Sequence, residues 1–385
     1  MGTVTYDYGV CCESTFQANY GFNKSLFIFT VAQCICIPGS SDKDGEQLED
    51  WDIYIFGTHN CTNDNTDIDY EADEYNIRTC VLIWSNGDKY IGDWTGGNRD
   101  GYGVMTWSNG DKYVGDWLNG KETGKGTFTW SNGEKYTGQF SDGEMHGNGS
   151  YYFADGRIYA GNWVEGIMKG YGTMKWPGGD YYFGDWVAGN RIGQGIYEWF
   201  DGVKYDGEWI GDEMTGKGVF TWPTGERYEG QFLNGIRHGQ GTYHVPDGEK
   251  YIGGWVNGKR TGSGVLFFSD GSIYMGDWVN NVASGKGISI SSSGNKYEGQ
   301  WSNWKKHGNG TYYFFNGDVY VGEWFNNSRT GKGAITRASG GKYIGDWINN
   351  NITGQGIEIS PGGHKYEVRC SKNGHRGLVN ENVSS

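Results

Sequence analysis

The chain has 385 residues, of which 70 are Gly, 18 are Trp and only 5 are Pro. Gly is more than twice as frequent as its usual share of about 7%, yet the 16% of aromatic residues excludes a disordered Gly-rich tract and the scarcity of Pro excludes collagen. The net charge of -14 is concentrated in residues 1–86, which hold 14 acidic and 3 basic residues. The remainder is close to neutral, which argues against a nucleic-acid partner.

Residues 1–77 form an acidic N-terminal region outside any repeat. Apolar runs at 25–37 and 51–56 predict strands that are candidates to pack on the structure that follows. The longest apolar run, 26–37, is shorter than the roughly 20 residues of a membrane-spanning helix, so no transmembrane segment is predicted. Residues 63–74 resemble a calcium loop only loosely, because Ile68 stands where the tight turn needs Gly. We expect an acidic linker there, without a metal.

Six of the seven Cys residues lie in the first 80 positions, and Cys370 is the seventh. The number is odd and no CxxC pair occurs. This pattern favours reduced thiols in a cytoplasmic protein over a disulfide framework or a structural zinc site.

A repeat of constant length begins near residue 78. Tyr recurs every 23 positions from Tyr90 to Tyr366, without an insertion. Each of the first twelve is followed two residues later by Gly and two residues further by Trp or Phe. A Gly-x-Gly pair recurs from 101/103 to 354/356. A fixed period of this length indicates a repeat architecture.

One unit is predicted to form a β-hairpin. Residues 113–117 alternate with period two, which places Tyr113 and the following Gly and Trp on one face of a strand. Residues 103–107 predict the partner strand, and "SNG" at 108–110 predicts a three-residue loop that pairs 105 with 113 and 103 with 115. A two-residue Asn-Gly turn is disfavoured, because only the Gly of this loop recurs in every unit.

The whole array is then predicted to be all-β: an elongated, single-layer antiparallel β-meander, or repeat solenoid, of 12–13 hairpins over residues 78–377, with a tail at 378–385. Aromatic rings would pack on the Gly residues of their own and neighbouring units, which recovers the contacts that Gly lacks. On the other face, the column of Lys112 holds 9 Lys or Arg residues in 13 units, and the column of Asp116 holds 7 acidic residues in 12. We expect these two columns to neutralise each other on a solvated face.

The unit resembles the MORN (membrane occupation and recognition nexus) repeat. "YVGDWLNGKETGKG" at 113–126 and "YEGQFLNGIRHGQG" at 228–241 carry the resemblance. It implies a single-layer β-meander with a non-catalytic role, either as a scaffold in cytoskeletal or ciliary assemblies or beside membranes. Some MORN arrays are attached to lipid kinases, but the 77 residues in front of this array are expected to be too few for a kinase domain.

No catalytic, cofactor or metal site is predicted. The stretch 211–218 approaches a phosphate-binding loop, but Gly218 replaces the Ser or Thr and no helix is predicted after it. His146, His238 and His307 share one column and are three or four units apart, so they cannot hold one ion and are predicted to be loop residues.

The sequence predicts a non-catalytic scaffold or adaptor that binds proteins and self-associates, in the cytoplasm, the cytoskeleton or a cilium. The candidate partner-binding aromatic face comprises Trp107, Tyr113, Trp117, Trp130, Tyr136, Tyr159, Trp163, Trp186, Trp209, Tyr228, Trp255, Trp278, Trp301 and Trp324. The alternative is a peripheral membrane module for acidic phospholipids. Its candidate residues are loop bases expected along one edge of the sheet: Lys121, Arg191, Arg237, Lys259, Arg260, Lys305, Lys306 and Arg329.

Overall fold

The computed structural model of the protein describes residues 29–30, 36–38, 55–56, 78–370 and 376–381. Every regular element among them is a strand. The expected acidic linker at 63–74 and most of the N-terminal region lie outside the described residues. The chain divides into two compact units, residues 1–190 and 191–385.

In the first unit, three short strands precede ten longer ones. The strands are β1 (Phe29–Thr30), β2 (Cys36–Pro38), β3 (Ile55–Phe56), β4 (Arg78–Ile83), β5 (Lys89–Thr95), β6 (Asn98–Thr106), β7 (Lys112–Leu118), β8 (Lys121–Thr129), β9 (Lys135–Ser141), β10 (Glu144–Tyr152), β11 (Ile158–Val164), β12 (Ile167–Lys175) and β13 (Tyr181–Val187). From β4 to β13, each strand pairs antiparallel with the next one in the chain. In addition, β2 pairs antiparallel with β4, and β1 pairs parallel with β3.

The second unit continues the same pattern, with β14 beginning at the boundary. Its strands are β14 (Asn190–Glu198), β15 (Lys204–Ile210), β16 (Glu213–Thr221), β17 (Arg227–Leu233), β18 (Ile236–His244), β19 (Lys250–Val256), β20 (Lys259–Phe267), β21 (Ile273–Val279), β22 (Val282–Ile290), β23 (Lys296–Ser302), β24 (Lys305–Tyr313), β25 (Val319–Phe325), β26 (Ser328–Thr336), β27 (Lys342–Ile348), β28 (Asn351–Ile359), β29 (Lys365–Cys370) and β30 (Arg376–Glu381). Consecutive strands again pair antiparallel. The predicted all-β antiparallel meander is therefore confirmed within each unit. Strand β30 crosses the predicted boundary at residue 377.

The three-residue loop of the predicted hairpin is confirmed. Met105 lies opposite Tyr113, and Gly103 lies opposite Gly115. The N–H of Gly110 donates to the carbonyl of Trp107 at 2.9 Å, and Gly110 has a φ of 93°, which a residue with a side chain rarely adopts. Trp107 therefore lies on the same face as Tyr113, as expected.

A second, two-residue turn, which was not predicted from the sequence, joins consecutive hairpins. At Asn119 and Gly120 both φ angles are positive, 49° and 81°. This is the geometry of a type I′ turn, for which Asn-Gly is the preferred pair, and whose twist matches that of the strands it joins. The turn sets the register between β7 and β8.

A bulge between each hairpin and the next changes the interpretation of the Asp116 column. Gly115 lies opposite Gly126, but Asp116 lies opposite Thr123, so β8 carries two extra residues. The Asp116 carboxylate accepts a hydrogen bond from the Lys125 N–H at 2.8 Å.

Equivalent side chains, acidic or Gln, accept the equivalent N–H in seven other hairpins: Asp93, Gln139, Glu208, Gln231, Asp277, Gln300 and Glu323. No ion pair among the described residues joins the Lys112 and Asp116 columns. The expected neutralisation between these columns is therefore wrong, because the carboxylates bind backbone at the bulge.

The core lies on the face of the sheet that carries Tyr113, which is fully buried. Its ring lies over Gly126, where a Cβ would lie 2.5 Å from Cε2 of the tyrosine. Its hydroxyl lies 2.9 and 3.2 Å from the carbonyl oxygens of Asp116 and Thr123, to which it donates. Edge-to-face contacts at 5.0 Å join the ring to Trp117 of its own hairpin and to Phe140 of the next. The predicted packing of rings on glycines is confirmed.

We expect Gly172→Ala to destabilise the first unit by about 1–3 kcal/mol or more, because a Cβ there would lie 2.6 Å from Cε2 of Tyr159. Gly178→Ala is the matched control, since no atom lies within 4 Å of its added Cβ. The control should stay within ~1 kcal/mol of wild type. Thermal and urea unfolding of the full chain provide the measurement, and equal midpoints for the two variants would contradict the packing described here.

Alkaline pH should unfold the array. Burial raises the pKa of Tyr136, Tyr159 and Tyr228 to about 12, whereas tyrosine in an unfolded chain titrates near 10. A group whose pKa is raised by folding contributes its full stability below the unfolded pKa and loses it as the pH rises toward the folded value. Stability should therefore fall between about pH 10 and 12, by ~1.4 kcal/mol per pH unit for each such tyrosine.

Circular dichroism and tyrosinate absorbance, followed together across this range, give the measurement. The two transitions should coincide, and the same chain in concentrated guanidinium should ionise near pH 10. Ionisation of most tyrosines near pH 10 with the strands intact would contradict the prediction.

Candidate functional site

Most of the predicted partner-binding aromatic residues lie in the core. Their rings fill the space over the glycines and contact one another, which leaves little surface for a partner. Eleven of the fourteen are buried: Tyr113, Trp117, Tyr136, Tyr159, Trp163, Trp186, Trp209, Tyr228, Trp255, Trp278 and Trp324. The other three, Trp107, Trp130 and Trp301, are half-buried.

A different column supplies the accessible rings, and we name it the aromatic stripe. It is the position just before each three-residue loop. In the first unit it holds Trp84, Trp107, Trp130, Phe153 and Trp176, and in the second unit Trp199, Trp222, Phe268 and Phe314. Trp84 is 39% exposed and the others are half-buried. Only Trp107 and Trp130 of this column are among the residues predicted from the sequence, although the recurrence of an aromatic residue at this position is a usable signal.

Rings between the stripe positions support the stripe from the side. In the second unit, Trp199 contacts Phe220 at a centroid distance of 5.5 Å, Phe220 contacts Trp222 at 4.6 Å, and Trp222 contacts Tyr243 at 5.9 Å. In the first unit, Trp130 contacts Tyr151 at 5.1 Å. Trp130, Trp199 and Trp222 are thus supported by neighbouring aromatic rings while part of their surface stays open.

The eight predicted lipid-facing bases divide between two faces, because successive strand residues point in opposite directions. Arg191, Arg237, Arg260, Lys306 and Arg329 lie over core rings on the aromatic face. The guanidinium of Arg237 lies 4.6 Å from the Trp255 ring centroid. The other distances are 4.5 Å for Arg191 and Trp209, 4.9 Å for Arg260 and Trp278, 5.4 Å for Lys306 and Trp324, and 4.4 Å for Arg329 and Trp347.

The remaining three bases, Lys121, Lys259 and Lys305, are exposed. Each of these lysines immediately precedes, in the sequence, the column whose Arg and Lys side chains lie over core rings. All eight bases are the first or second residue of their strands, beside the turns that join hairpins, as expected for one edge of the sheet. The alternation divides their side chains between the two faces, which was not predicted from the sequence.

Four of the stacked cations have an unusual electrostatic environment. Burial lowers the pKa of Arg237, Arg260, Lys306 and Arg329. Arg191 differs, because its Nε donates to Asp212 Oδ1 at 2.9 Å. Among the residues that the structure describes, no carboxylate lies within 4.0 Å of the charged nitrogens of the other four. These four residues of the second unit are named the cationic row.

The structure places the other sequence candidates in strands and turns. His146, His238 and His307 lie in strands β10, β18 and β24 and not in loops. Residues 211–218 form a turn and the start of β16, so a strand follows the glycines where a phosphate-binding loop needs a helix. Within the described part of the chain, no group of three or more His, Cys, Asp or Glu side chains is arranged to hold a metal.

The 23-residue hairpin, with its buried Tyr and Trp and its bulge glycines, defines a β-hairpin repeat protein. Twelve consecutive segments match the MORN repeat: residues 90–112, 113–135, 136–156, 159–181, 182–204, 205–227, 228–250, 251–273, 274–296, 297–319, 320–342 and 343–365. The chain belongs to the MORN-repeat family, as the resemblance in the sequence indicated. The predicted array limits at 78 and 377 stay a prediction.

No curated protein matches the chain. Among solved structures, the TCP10 domain of Danio rerio CPAP in complex with a STIL peptide is 11% identical over 71% of this chain and 99% of its own, with a TM-score of 0.16. The SAS-4 TCP domain of Drosophila melanogaster, in complex with a proline-rich motif of Ana2, is 12% identical over 49% and 85%, with a TM-score of 0.20.

A virginiamycin B lyase from Staphylococcus aureus is 12% identical over 72% of this chain and 90% of its own, with a TM-score of 0.13. Similarities at these TM-scores support no statement about the function of this chain. The described residues also contain no helix of the length and apolarity that crossing a bilayer demands.

Trp255→Phe should destabilise the second unit by about 1 kcal/mol. The indole N–H of Trp255 donates to the Gly241 carbonyl at 3.2 Å, and Phe keeps a six-membered aromatic ring but removes the donor and the five-membered part of the indole. The same column naturally holds Phe232, so Phe232→Trp is the matched control and should not destabilise the unit. Melting temperatures measure both, and an unchanged value for Trp255→Phe would show that this hydrogen bond contributes nothing.

Proposed function

We propose that this chain is a non-catalytic scaffold or adaptor that binds partner proteins through the aromatic stripe. The observation that carries the proposal is the column of half-buried Trp and Phe residues beside a fully packed core in both units. Trp is enriched in the small set of residues that dominate binding energy at interfaces, especially where neighbouring groups exclude water from the ring. Rings that are supported from the side also lose little side-chain entropy on binding.

The family supports the non-catalytic part of the proposal. The MORN repeat is a non-enzymatic repeat. In this chain the polar groups of its recurring columns are used within the hairpins: the Tyr hydroxyls and Trp N–H groups donate to backbone carbonyls, and the carboxylates and amides accept from the bulge. We therefore assign the chain no reaction and no cofactor.

The setting of this scaffold is part of the proposal. By resemblance to other MORN arrays, we place it in the cytoplasm, in a cytoskeletal or ciliary assembly, where it also self-associates. The accessible rings of one copy are chemically suited to pack on those of another. Sedimentation of the purified chain across a range of concentrations would measure this association.

Peripheral binding to acidic phospholipids is the second candidate function, and the exposed lysines favour it. Lys121 lies opposite Leu118 at a hairpin end, and Lys259 lies opposite Val256. Leu118 is 53% exposed and Val256 45%. Apolar side chains next to lysines can enter a headgroup layer and attract anionic lipid.

The double variant Trp199→Ala and Trp222→Ala should lose most of its partner proteins, because it removes two adjacent rings of the stripe. Affinity purification with quantitative mass spectrometry would compare it with wild type. The matched control is Ile210→Ala with Ile252→Ala, which removes two exposed apolar side chains from outside the stripe. We expect partner recovery to fall about tenfold or more for the first pair and about twofold or less for the second.

Two results would contradict the scaffold proposal. One is an unchanged partner set in the stripe variant, with circular dichroism showing it folded. The other is wild-type binding to phosphatidylcholine–phosphatidylserine vesicles that falls with salt and is lost in the triple variant Lys121→Gln, Lys259→Gln and Lys305→Gln. That second result would establish the lipid function instead.

A further inference from the structure

We infer that the cationic row of the second unit is a docking site for an extended acidic peptide. This inference rests on the proposed function, because it names the chemistry of the partner that the aromatic face would bind. The row comprises Arg237, Arg260, Lys306 and Arg329, which are half-buried and lie on the same face as the aromatic stripe.

The cations are held in place before any partner arrives. Arg329 lies over Trp347 and also donates from Nη2 to the Asn350 carbonyl at 2.9 Å. Arg237 lies over Trp255, and its Nη2 is 3.4 Å from the Gly258 carbonyl. A guanidinium stacked on a ring and bonded on one side still has N–H groups that can donate to a carboxylate. Little side-chain entropy is lost when it does so.

The row lacks carboxylates of its own at contact distance. Arg191 shows the contrasting case in the same column, since its guanidinium binds Asp212. Glu226 and Glu249 influence Arg237 and Arg260 from further away, so the surface is mixed in charge. A mixed surface gives weak long-range attraction, and recognition must come from direct contact with separate carboxylates. This favours an acidic peptide over a membrane surface.

The spacing of the row specifies the spacing of the acidic residues. Neighbouring hairpins are separated by two strand spacings, about 9.6 Å. A peptide in the extended polyproline II conformation covers this distance in about three residues, and every third side chain lies on the same face. Arg237 and Arg260 belong to neighbouring hairpins, as do Lys306 and Arg329, whereas Arg260 and Lys306 are two hairpins apart. The matching peptide therefore carries acidic residues at about i, i+3, i+9 and i+12.

An aromatic ring fills the gap in the row. In the intervening hairpin, the column of the cationic row holds Ala283, which is fully buried. The backbone N–H of Trp304 donates to the Ala283 carbonyl at 3.1 Å. The Trp304 ring lies 5.0 Å from the Trp278 ring. Trp304 has a φ of 64°, which is unusual for a bulky residue, and Gly258 occupies the same turn position elsewhere. The peptide should accordingly carry an apolar residue near i+6.

The chain itself indicates a substitution that removes the charge and keeps the fold. Met214 occupies the same column and lies opposite Trp209, as Arg260 lies opposite Trp255. The double variant Arg260→Met and Lys306→Met therefore replaces two cations with Met, a residue that the same column already holds at Met214. Lys259→Met with Lys305→Met removes the same charge from exposed residues one position earlier, which makes it a matched control.

The probe is a fluorescein-labelled synthetic peptide of roughly 15 residues, with Asp at positions 1, 4, 10 and 13, Leu at position 7, and Ser and Thr elsewhere. A scrambled peptide of the same composition is the peptide control. Fluorescence anisotropy with the full chain should show about tenfold tighter binding to the ordered peptide. The Arg260/Lys306 pair should weaken that binding about tenfold, and the Lys259/Lys305 pair about twofold or less.

Three results of the anisotropy measurements with the variants and peptides would overturn the inference: no binding of the ordered peptide to wild type, equal binding of both peptides, or equal losses in both pairs of variants. Melting temperatures establish that each variant is folded. A stripe variant that loses its cellular partners while the Arg260/Lys306 variant keeps them would leave the scaffold function intact and exclude the acidic peptide. Vesicles of phosphatidylcholine and phosphatidylserine that compete with the peptide for wild type would also overturn the inference, because they would show lipid as the ligand.

Discussion

The structure depends on the contact between a buried tyrosine ring and a pair of glycines. At Tyr113 the ring covers Gly115 and Gly126, while the hydroxyl donates to carbonyl oxygens where the bulge interrupts the ladder. The residue thus supplies apolar contact and satisfies a backbone acceptor in the same place. A larger residue in either glycine position would displace the ring, which explains why the Gly columns accompany the Tyr column through every full repeat.

The same tyrosine joins one repeat to the next. Tyr228 contacts Phe232 of its own hairpin at 5.1 Å and Trp255 of the following hairpin at 5.3 Å, both edge to face. The indole N–H of Trp255 donates to the carbonyl of Gly241, which lies between Phe232 and Trp255 in the sequence. Each hairpin therefore completes its core with a ring from its successor. Stability in such an array is a sum of terms within repeats and between neighbours, and a single hairpin has no complete core.

The sequence period predicted which residues share a face, but which side chains of a face are buried depends on contacts between repeats. Met105 opposite Tyr113 followed from the fixed position of the loop glycine, and the structure confirms it. The burial of Trp117 did not follow, because it results from the rings of adjacent hairpins. The role of Asp116 was also missed, although Gln139 at the same position was a signal: Gln accepts a hydrogen bond but cannot neutralise a lysine.

Turns explain the remaining difference. An Asn-Gly pair at 119–120 is a strong signal for a two-residue type I′ turn, but an Asn-Gly pair also lies in the three-residue loop at 109–110. The two Asn-Gly pairs differ only in the strands that they join. The bulge beside the second pair changes the register of those strands, and the sequence of one repeat does not reveal it. Where the structure has Asn281 or Asn350 in the second turn position, the side chain accepts the N–H of Arg260 or Arg329, so a polar replacement of glycine has its own partner.

These observations separate the columns that build the fold from those that can vary. The column of the cationic row holds Arg260, Met214 and Ala283 in different hairpins, with the neighbouring hydrogen bonds retained. Its residue lies opposite a core ring, Phe232 for Arg237 and Trp255 for Arg260, and the position requires only contact with a ring. A stacked guanidinium provides that contact, and so can an uncharged Met side chain, as at Met214 opposite Trp209. A position whose packing demand can be met without a charge is one where the array can acquire recognition without loss of fold.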